Sequence, residues 1–416
     1  MYNEISEGVR KIKTYKHLYE EMFDPLVVAN CMLNAARRKL NRSTVEHFLL
    51  EFDSTYENII KIMKDPSYIP NEKNIHHIID GSHHKKRTIE KPPYFPEQII
   101  HHLLMHGFKH IVINGLYEQT YGCIPQQTYL DENGEVIRVR KFGLLEASKT
   151  LKRWVQVGKK IYVCEADVHH AYDSVHIHTL VNMLQEVIKD DKWLNLMYKF
   201  LHYHPDDYDQ RGLVLGHYTS PWLFNFYLKK FDHYMATQQE VKYLRFADNF
   251  YIVGCSKRRV QAAFKNARQY LEEQLKLELN NSSQVYRFEY KKFDPITNKE
   301  KYYGRAVNAL GLVIHCNKVG LRKSILHKMR NKAIKIHYKH KITWHDGSSM
   351  FASLKWLNYA DCDNYFMDYI YPHLKSRLSI LQKLADKHTQ KIMKIIERKR
   401  RKIYDHLENS KWIANR

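Results

Sequence analysis

The segment Ile161-Tyr-Val-Cys164-Glu-Ala-Asp167 reads as a strand that carries a carboxylate at its end. An unpaired carboxylate removed from water is costly. A chain that folds this way must offset the charge, and a divalent metal is one means. Further on, Tyr243-Leu-Arg-Phe-Ala-Asp248-Asn249-Phe-Tyr-Ile-Val253 places a second acid at the tip of a hairpin between two apolar strands. If the strands are neighbours in one sheet, Asp167 and Asp248 meet at one edge. Two close carboxylates repel unless cations lie between them, which is the arrangement of a two-metal phosphoryl-transfer site. Asp-Asn is also a common turn pair for backbone reasons alone. Taken singly, the second element therefore reads as an ordinary turn, and only the elements' order and combination carry weight.

A third element lies between them. Gly212-Leu-Val-Leu-Gly216-His-Tyr-Thr-Ser220-Pro221 leads into a helix with Phe224, Tyr227, Leu228 and Phe231 on one side. Ser220 reads as its cap and Pro221 as its first helical residue, so the helix amides could face a phosphate. Composition agrees with such a partner. The 416 residues carry 67 Lys and Arg against 45 Asp and Glu, a net charge of +22, with 13% aromatic residues, 30 of them tyrosine. Val319–Arg416 alone holds 22 basic and 8 acidic residues. A basic, aromatic-rich surface suits a phosphate backbone with bases to stack on. A solvated basic helix surface is the plainer explanation, but at this magnitude a polyanion partner is preferred, and an anionic membrane is disfavoured because no apolar anchor accompanies the charge.

Other classes are excluded. The six cysteines are scattered and none has C-x-x-C spacing, against a disulfide scaffold or a cysteine zinc site. Lone cysteines, no apolar run of about 18 residues, and a charged Met1–Arg10 without a secretory core give the expectation of a cytoplasmic protein with no membrane partner. His102, His106 and His110 share a helix face, but 26 histidines make such alignments easy, and packing or RNA contact is the expectation.

Along the chain, residues 1–66 read as a helical N-terminal extension in which Ser43-Thr-Val-Glu46 forms a capping box. Residues 67–160 mix turns, short strands and a helix from Glu97 to Ile113, with hairpin signals at Asp80-Gly81 and Asp131-Glu-Asn-Gly134. Residues 161–315 alternate strands and helices. Residues 316–416 are helical, and the last helix, from about Leu378 to Leu407, carries the run Arg398-Lys-Arg400-Arg401-Lys402.

Taken together, these motifs resemble a reverse transcriptase over about residues 60–325. Asp167 with Tyr172 matches the family's first palm motif. Gly212, Gly216, Ser220, Pro221 and Asn225 match the second, and Phe246-Ala247-Asp248 matches the third. Leu275-Lys-Leu-Glu-Leu279 and Ala309-Leu-Gly-Leu312 resemble the two that follow. Lys85-Lys-Arg-Thr-Ile-Glu-Lys91-Pro92 and Tyr121-Gly-Cys-Ile-Pro125 resemble the fingers. There are three departures. Asn249 stands for the second acid, Leu215 for a glutamine, and Ser282-Ser-Gln284 where a lysine is usual.

The resemblance implies an α+β right-hand polymerase fold: fingers over 67–160, a palm with an antiparallel sheet over 161–315, and a basic α-helical thumb over 316–416. It implies Mg²⁺, with Mn²⁺ as substitute, on Asp167, Asp248 and the Val168 carbonyl. It places Lys86, Arg87, Lys91, Tyr172, Leu215 and Gly216 around the nucleotide. Ser220, Asn225, Asn249, Arg398, Arg400 and Arg401 fall along template and primer. A bulky Tyr172 under the sugar would favour deoxynucleotides.

The branch it is most similar to is that of bacterial stand-alone enzymes, either diversity-generating retroelement or unknown-group and defence-associated. The leading expectation is an RNA-directed DNA polymerase that copies a dedicated structured non-coding RNA in anti-phage defence. Its partners would be that RNA, the DNA product and deoxynucleoside triphosphates, with a helper protein or a second copy of the chain left open. The alternatives are retroelement diversification, a catalytically silent RNA-binding protein of the same fold, and an RNA-dependent RNA polymerase, which Tyr172 opposes.

Overall fold

The computed structural model describes residues 13–37, 39–40, 42–71, 74–80, 85–130, 136–156, 160–296 and 298–413. Met1–Arg10, Gly81 and Asp131–Gly134, which entered the sequence reading, lie outside them. Four helices come first: α1 (Leu18–Glu21), α2 (Pro25–Ala35), α3 (Ser43–Leu50) and α4 (Phe52–Lys64). Asp24 caps α2, its Oδ1 accepting from Leu26 N at 2.8 Å, with Pro25 in the first turn. The capping box expected at Ser43 does not form. Arg42 holds the cap position without a side-chain bond, and Glu46 instead accepts from Lys399 Nζ at 2.7 Å. An ion pair with a distant helix has replaced the local cap.

The hairpin β1 (Ile75–Asp80) and β2 (Lys85–Glu90) precedes the long helix α5 (Ile99–Gly115). Next come β3 (Gln127–Leu130), β4 (Val136–Arg140) and α6 (Leu144–Val155). The central part holds β5 (Tyr162–Asp167), α7 (Ile177–Val187), α8 (Asp191–Phe200), α9 (Ser220–Ala236), β6 (Val241–Phe246), β7 (Asn249–Gly254), α10 (Lys257–Leu275) and β8 (Gln284–Arg287). The ribbon β9 (Tyr290–Asp294) and β10 (Lys299–Tyr303) follows, then the small sheet β11 (Val307–Ala309), β12 (Leu312–Ile314) and β13 (Val319–Leu321). The chain ends with α11 (Lys323–Tyr338), α12 (Trp344–Leu354), α13 (Asp363–Tyr369), α14 (Tyr371–Leu374) and α15 (Leu378–Glu408).

The central sheet has the order β6-β7-β5-β8, with every neighbouring pair antiparallel. Its strands are apolar on both faces because each face covers a separate core. Alternate residues point to opposite sides of a strand. Cys164, Ala166, Tyr243, Phe250 and Ile252 join a core with α2–α5 and α7–α10. Val163, Leu244, Tyr251 and Val253 join another with α6, β11–β13 and α11–α14. The first core includes Phe108, fully buried, its ring centroid 5.4 Å from Trp193 and 5.3 Å from Phe226.

Helix α15 belongs to both cores, Leu381 to the second and Ile403 and Leu407 to the first. Beyond it, Trp412 packs on Tyr56 with ring centroids 5.0 Å apart. The N-terminal extension and the C-terminal region, separate in sequence, are thereby joined. Replacing Phe108 by alanine removes a ring from the larger core and should cost about 3–5 kcal/mol, read as a lower urea midpoint at unchanged slope.

Candidate functional site

The β5–β7 register places Asp167 opposite Asn249, so Asp248 is one step beyond, in the turn between β6 and β7. Val168 N–H donates to the Asp248 carbonyl at 3.2 Å. The two acids expected to converge thus come to the same end of adjacent strands, both half-buried. Each is held by an asparagine amide. Asn280 Nδ2 donates to Asp167 Oδ2 at 2.6 Å, and Asn249 Nδ2 donates to Asp248 Oδ1 at 3.1 Å. Asn249, expected beside template and primer, therefore supports Asp248 without adding a third negative charge. On the other flank, Asn280 N donates to Asp167 O and His169 N to Glu278 O, both at 2.8 Å. Between these bonds the ladder turns the Val168 N–H and carbonyl away from Leu279, to the side of Asp248. Two carboxylates and a backbone carbonyl at one strand end could offer only oxygen donors, the kind that a hard divalent cation takes. Among the described residues no group of three or more His, Cys, Asp or Glu forms a metal cluster.

The Asp248 turn rests on a buried ion pair that sequence reasoning missed. Arg245 and Asp232 are fully buried. Arg245 Nε donates to Asp232 Oδ1 at 2.8 Å and Nη2 to Oδ2 at 2.7 Å. Tyr243 and Thr120 hydroxyls donate to the same carboxylate at 2.8 and 3.1 Å. The remaining Arg245 nitrogen donates to Ala247 O at 2.8 Å and Asn225 Oδ1 at 3.1 Å, which secures Ala247 in a left-handed conformation, φ 56°. Burial alone would lower the Arg245 pKa, but the Asp232 charge and hydrogen bonds turn the net shift upward. Burial, then Asp232, raises the Tyr243 hydroxyl well above its ordinary value. The signal in the sequence was a charged residue, Arg245, at an inward position of an apolar strand.

Gly122 completes this seat. A Cβ there would lie 2.2 Å from Ala247 N, so only glycine lets the segment lie against the turn. Tyr121 N donates to Arg245 O at 2.9 Å, and Asn225 Nδ2 to Gly122 O at 3.2 Å. This corrects the expectation for Asn225. It is buried, and both ends of its amide are engaged inside the protein, so it supports the turn and does not face a template. Ser220 is corrected likewise. It follows Thr219, which holds the cap position of α9, and its hydroxyl donates to Val214 O at 2.6 Å, tying down the loop before the helix.

A cavity of about 650 Å³ adjoins this edge, with Tyr172, Leu215, Gly216, Cys123, Gln98 and His102 in its wall. The Tyr172 ring stacks on Phe224 at 5.0 Å. Burial, with the charges of Cys123 and Asp248, pushes its hydroxyl up. Leu215 O accepts from Glu90 N at 2.8 Å. At Gly216, φ 112°, a Cβ would fall 1.9 Å from Glu90 O. The end of β2 is thus docked on the glycine loop. Lys86 and Arg87 on β2, and Lys91 just after it, are exposed and outside the cavity wall. Arg398, Arg400 and Arg401 lie on the exposed surface of α15, away from this wall. His102 stacks on Tyr218 with centroids 3.8 Å apart, a packing role.

Residues 108–296 match the family described as "Reverse transcriptase (RNA-dependent DNA polymerase)". Among curated proteins, Protein YkfC of Escherichia coli is 24% identical over 226 residues, 45% of this chain and 56% of that protein. Group II intron-encoded protein LtrA of Lactococcus lactis is 26% identical over 202 residues, 45% of this chain and 29% of that one. The chain therefore matches about half or less of the length of these relatives. Among solved structures, a Candida albicans telomerase with a fragment of telomeric RNA aligns over 83% of this chain and 60% of that one, at 10% identity and TM-score 0.44. An apo telomerase from Candida tropicalis aligns over 65% and 60%, at 11% identity and TM-score 0.37. The segment that matches this family includes the whole central sheet, and the described residues form a mixed α+β protein.

Two outcomes follow. Asp232→Ala leaves Arg245 buried without its carboxylate and should destabilise the chain by about 3–5 kcal/mol, measured by urea unfolding. Burial holds His101 well below its ordinary pKa and His102 down at about 3. Below about pH 6.5 the unfolded chain takes up protons that the folded chain refuses, so stability falls as pH drops. His102→Phe should flatten part of that fall in unfolding curves taken between about pH 7 and pH 5.

Proposed function

We propose that the chain is an RNA-directed DNA polymerase. The observation that carries this reading is the register that brings Asp167 and Asp248 to one sheet edge beside the Tyr172 cavity, within the segment matching the reverse transcriptase family. Asp167, Asp248 and the Val168 carbonyl would hold divalent metal. When bound, the metal lowers the pKa of a primer 3′-hydroxyl and stabilises charge on the transferring phosphate. The protein's part is to keep both carboxylates aimed, through the Asn280 and Asn249 amides and the Arg245-fixed turn. Tyr172, stacked on Phe224, is the wall against which a deoxyribose fits and a 2′-hydroxyl does not. Leu215 and Gly216 line the cavity where the nucleotide would sit, with β2 docked on Gly216, and Lys86, Arg87 and Lys91 supply cations for its triphosphate.

In this reading residues 1–66 form a helical extension, 67–160 the fingers, 161–315 the palm and 316–416 a basic thumb. Arg398, Arg400 and Arg401 would lie along template and primer. The template is a dedicated structured non-coding RNA and the setting bacterial anti-phage defence, in the cytoplasm. The motif resemblance to stand-alone bacterial enzymes covers this setting, with retroelement diversification as the alternative. No helix among the described residues is long and apolar enough to cross a membrane. Asn249 favours one second reading, a silent RNA-binding protein of the same fold, because the family's second acid is replaced there.

Primer extension on an RNA template with Mg²⁺ or Mn²⁺ separates the two. Asp167→Ala and Asp248→Ala should each lower extension by at least about a hundredfold. Tyr172→Ala should raise the use of ribonucleotides relative to deoxynucleotides. Equal background in the parent and Asp167→Ala would favour the silent binder.

A further inference from the structure

Between the central sheet and β11 the chain leaves the palm as the ribbon β9–β10. Its root is fixed. Arg287 pairs with Tyr162 in the β5–β8 register, Arg305 N donates to Arg287 O at 3.0 Å, and Glu289 N to Arg305 O at 3.0 Å. Arg305 also pairs with Glu165 at 3.3 Å and lies over the Tyr286 ring. Tyr162 and Asp167 stand at opposite ends of β5, so the root lies about 17 Å along the strand from the acidic edge.

The register sorts the ribbon side chains into two faces, since cross-strand partners share a face. One face carries Lys291, Phe293, Glu300 and Tyr302. There Lys291 pairs with Glu300 at 2.7 Å, and Asn317 donates to the Tyr302 hydroxyl at 3.2 Å. The other face carries Tyr290 opposite Tyr303, Lys292 opposite Lys301, and Asp294 opposite Lys299. The two tyrosine rings stack with centroids 5.8 Å apart, and the Arg287 guanidinium lies 3.5 Å from the Tyr290 ring. Like charges directly opposite in a ladder destabilise it. Asp294 pairs with Lys301, but among the described residues Lys292 and Lys299 make no ion pair, and both are exposed. Tyr303 is 42% exposed. A short ribbon that sets lysines face to face beside an open tyrosine stack has the make-up of a platform for phosphates and bases.

We propose that this face of β9–β10 binds a single-stranded stretch of the template RNA outside the catalytic centre. Lys292 and Lys299 would contact phosphates, and a base would stack on Tyr303. RNA is the occupant because this face sets exposed lysines without ion pairs among the described residues beside an open aromatic ring, and the ribbon stands away from the edge where a DNA product would form. The choice of RNA rests on the polymerase reading; the platform itself does not.

The test is fluorescence anisotropy of the full chain with a labelled 12-nucleotide single-stranded RNA over a salt series, without nucleotides or metal. Lys292→Ala with Lys299→Ala should weaken binding about fivefold or more and reduce the salt slope by about 1.4, near 0.7 per lost contact on a single strand. Tyr303→Ala should weaken it about tenfold, with Tyr303→Phe restoring the affinity. Lys291→Ala, on the opposite face, controls for folding of the ribbon and should bind as the parent does. Parent-like affinity and slope in the lysine and Tyr303→Ala variants overturn the proposal. So does an equal loss on duplex RNA, where bases are not free to stack. A DNA strand of the same sequence that binds as tightly and loses as much overturns the assignment to RNA. Failure of primer extension by the parent would sink the polymerase reading while leaving these binding results in place.

Discussion

The Asp232 carboxylate lies out of reach of solvent, and two guanidinium nitrogens, a tyrosine hydroxyl and a threonine hydroxyl point at it. Burying one charge alone would be prohibitive, and burying the pair is tolerable only because every polar atom around it finds a partner. What the pair secures is position. The free arm of Arg245 reaches the carbonyl of Ala247, the residue before Asp248, and the Arg245 backbone is zipped to Gln119 and Tyr121. A helix, a strand and a connecting segment from three parts of the chain are locked to one two-residue turn. An apolar core of the same volume could hold those elements together, but it could not choose the direction of the turn, because dispersion has no preferred orientation.

Two backbone contacts extend that lock across the cavity. Gly122 lets the connecting segment touch the turn, and Gly216 lets the end of β2 touch the loop ahead of α9. Both positions bring main chain against main chain at distances no side chain permits. Two backbone approaches, one beside the Asp248 turn and one in the cavity wall, therefore fix the loops that frame the site.

Much of this was legible in the sequence, and for definable reasons. Short apolar runs give β5, β6 and β7, and the stripe from Val260 to Leu275 gives α10, because such patterns are local. The meeting of Asp167 and Asp248 followed from motif order. The amides on those acids were not legible. Asn280 lies in an irregular loop, and a hydrogen bond leaves no period. The template contacts expected of Asn225 and Ser220 are what the family resemblance implies for those motif positions. Burial turned both inward, and burial is a tertiary property. Ser43-Thr-Val-Glu46 carried the letters of a capping box, yet Lys399, far away in sequence, claimed the glutamate. Local pattern loses where a distant partner offers a stronger bond.

Helix α15 has 31 residues, a rod of about 46 Å. One end is packed on α12 and the other is fastened to the N-terminal helices through Lys399, Ser410 and Trp412. A rod of fixed length pinned at both ends behaves as a tie-beam. The span between the two regions cannot widen or narrow by sliding, and relative motion is confined to swivelling about the pins. Any passage of a long polymer between them must accommodate that gauge, or one pin must be released first.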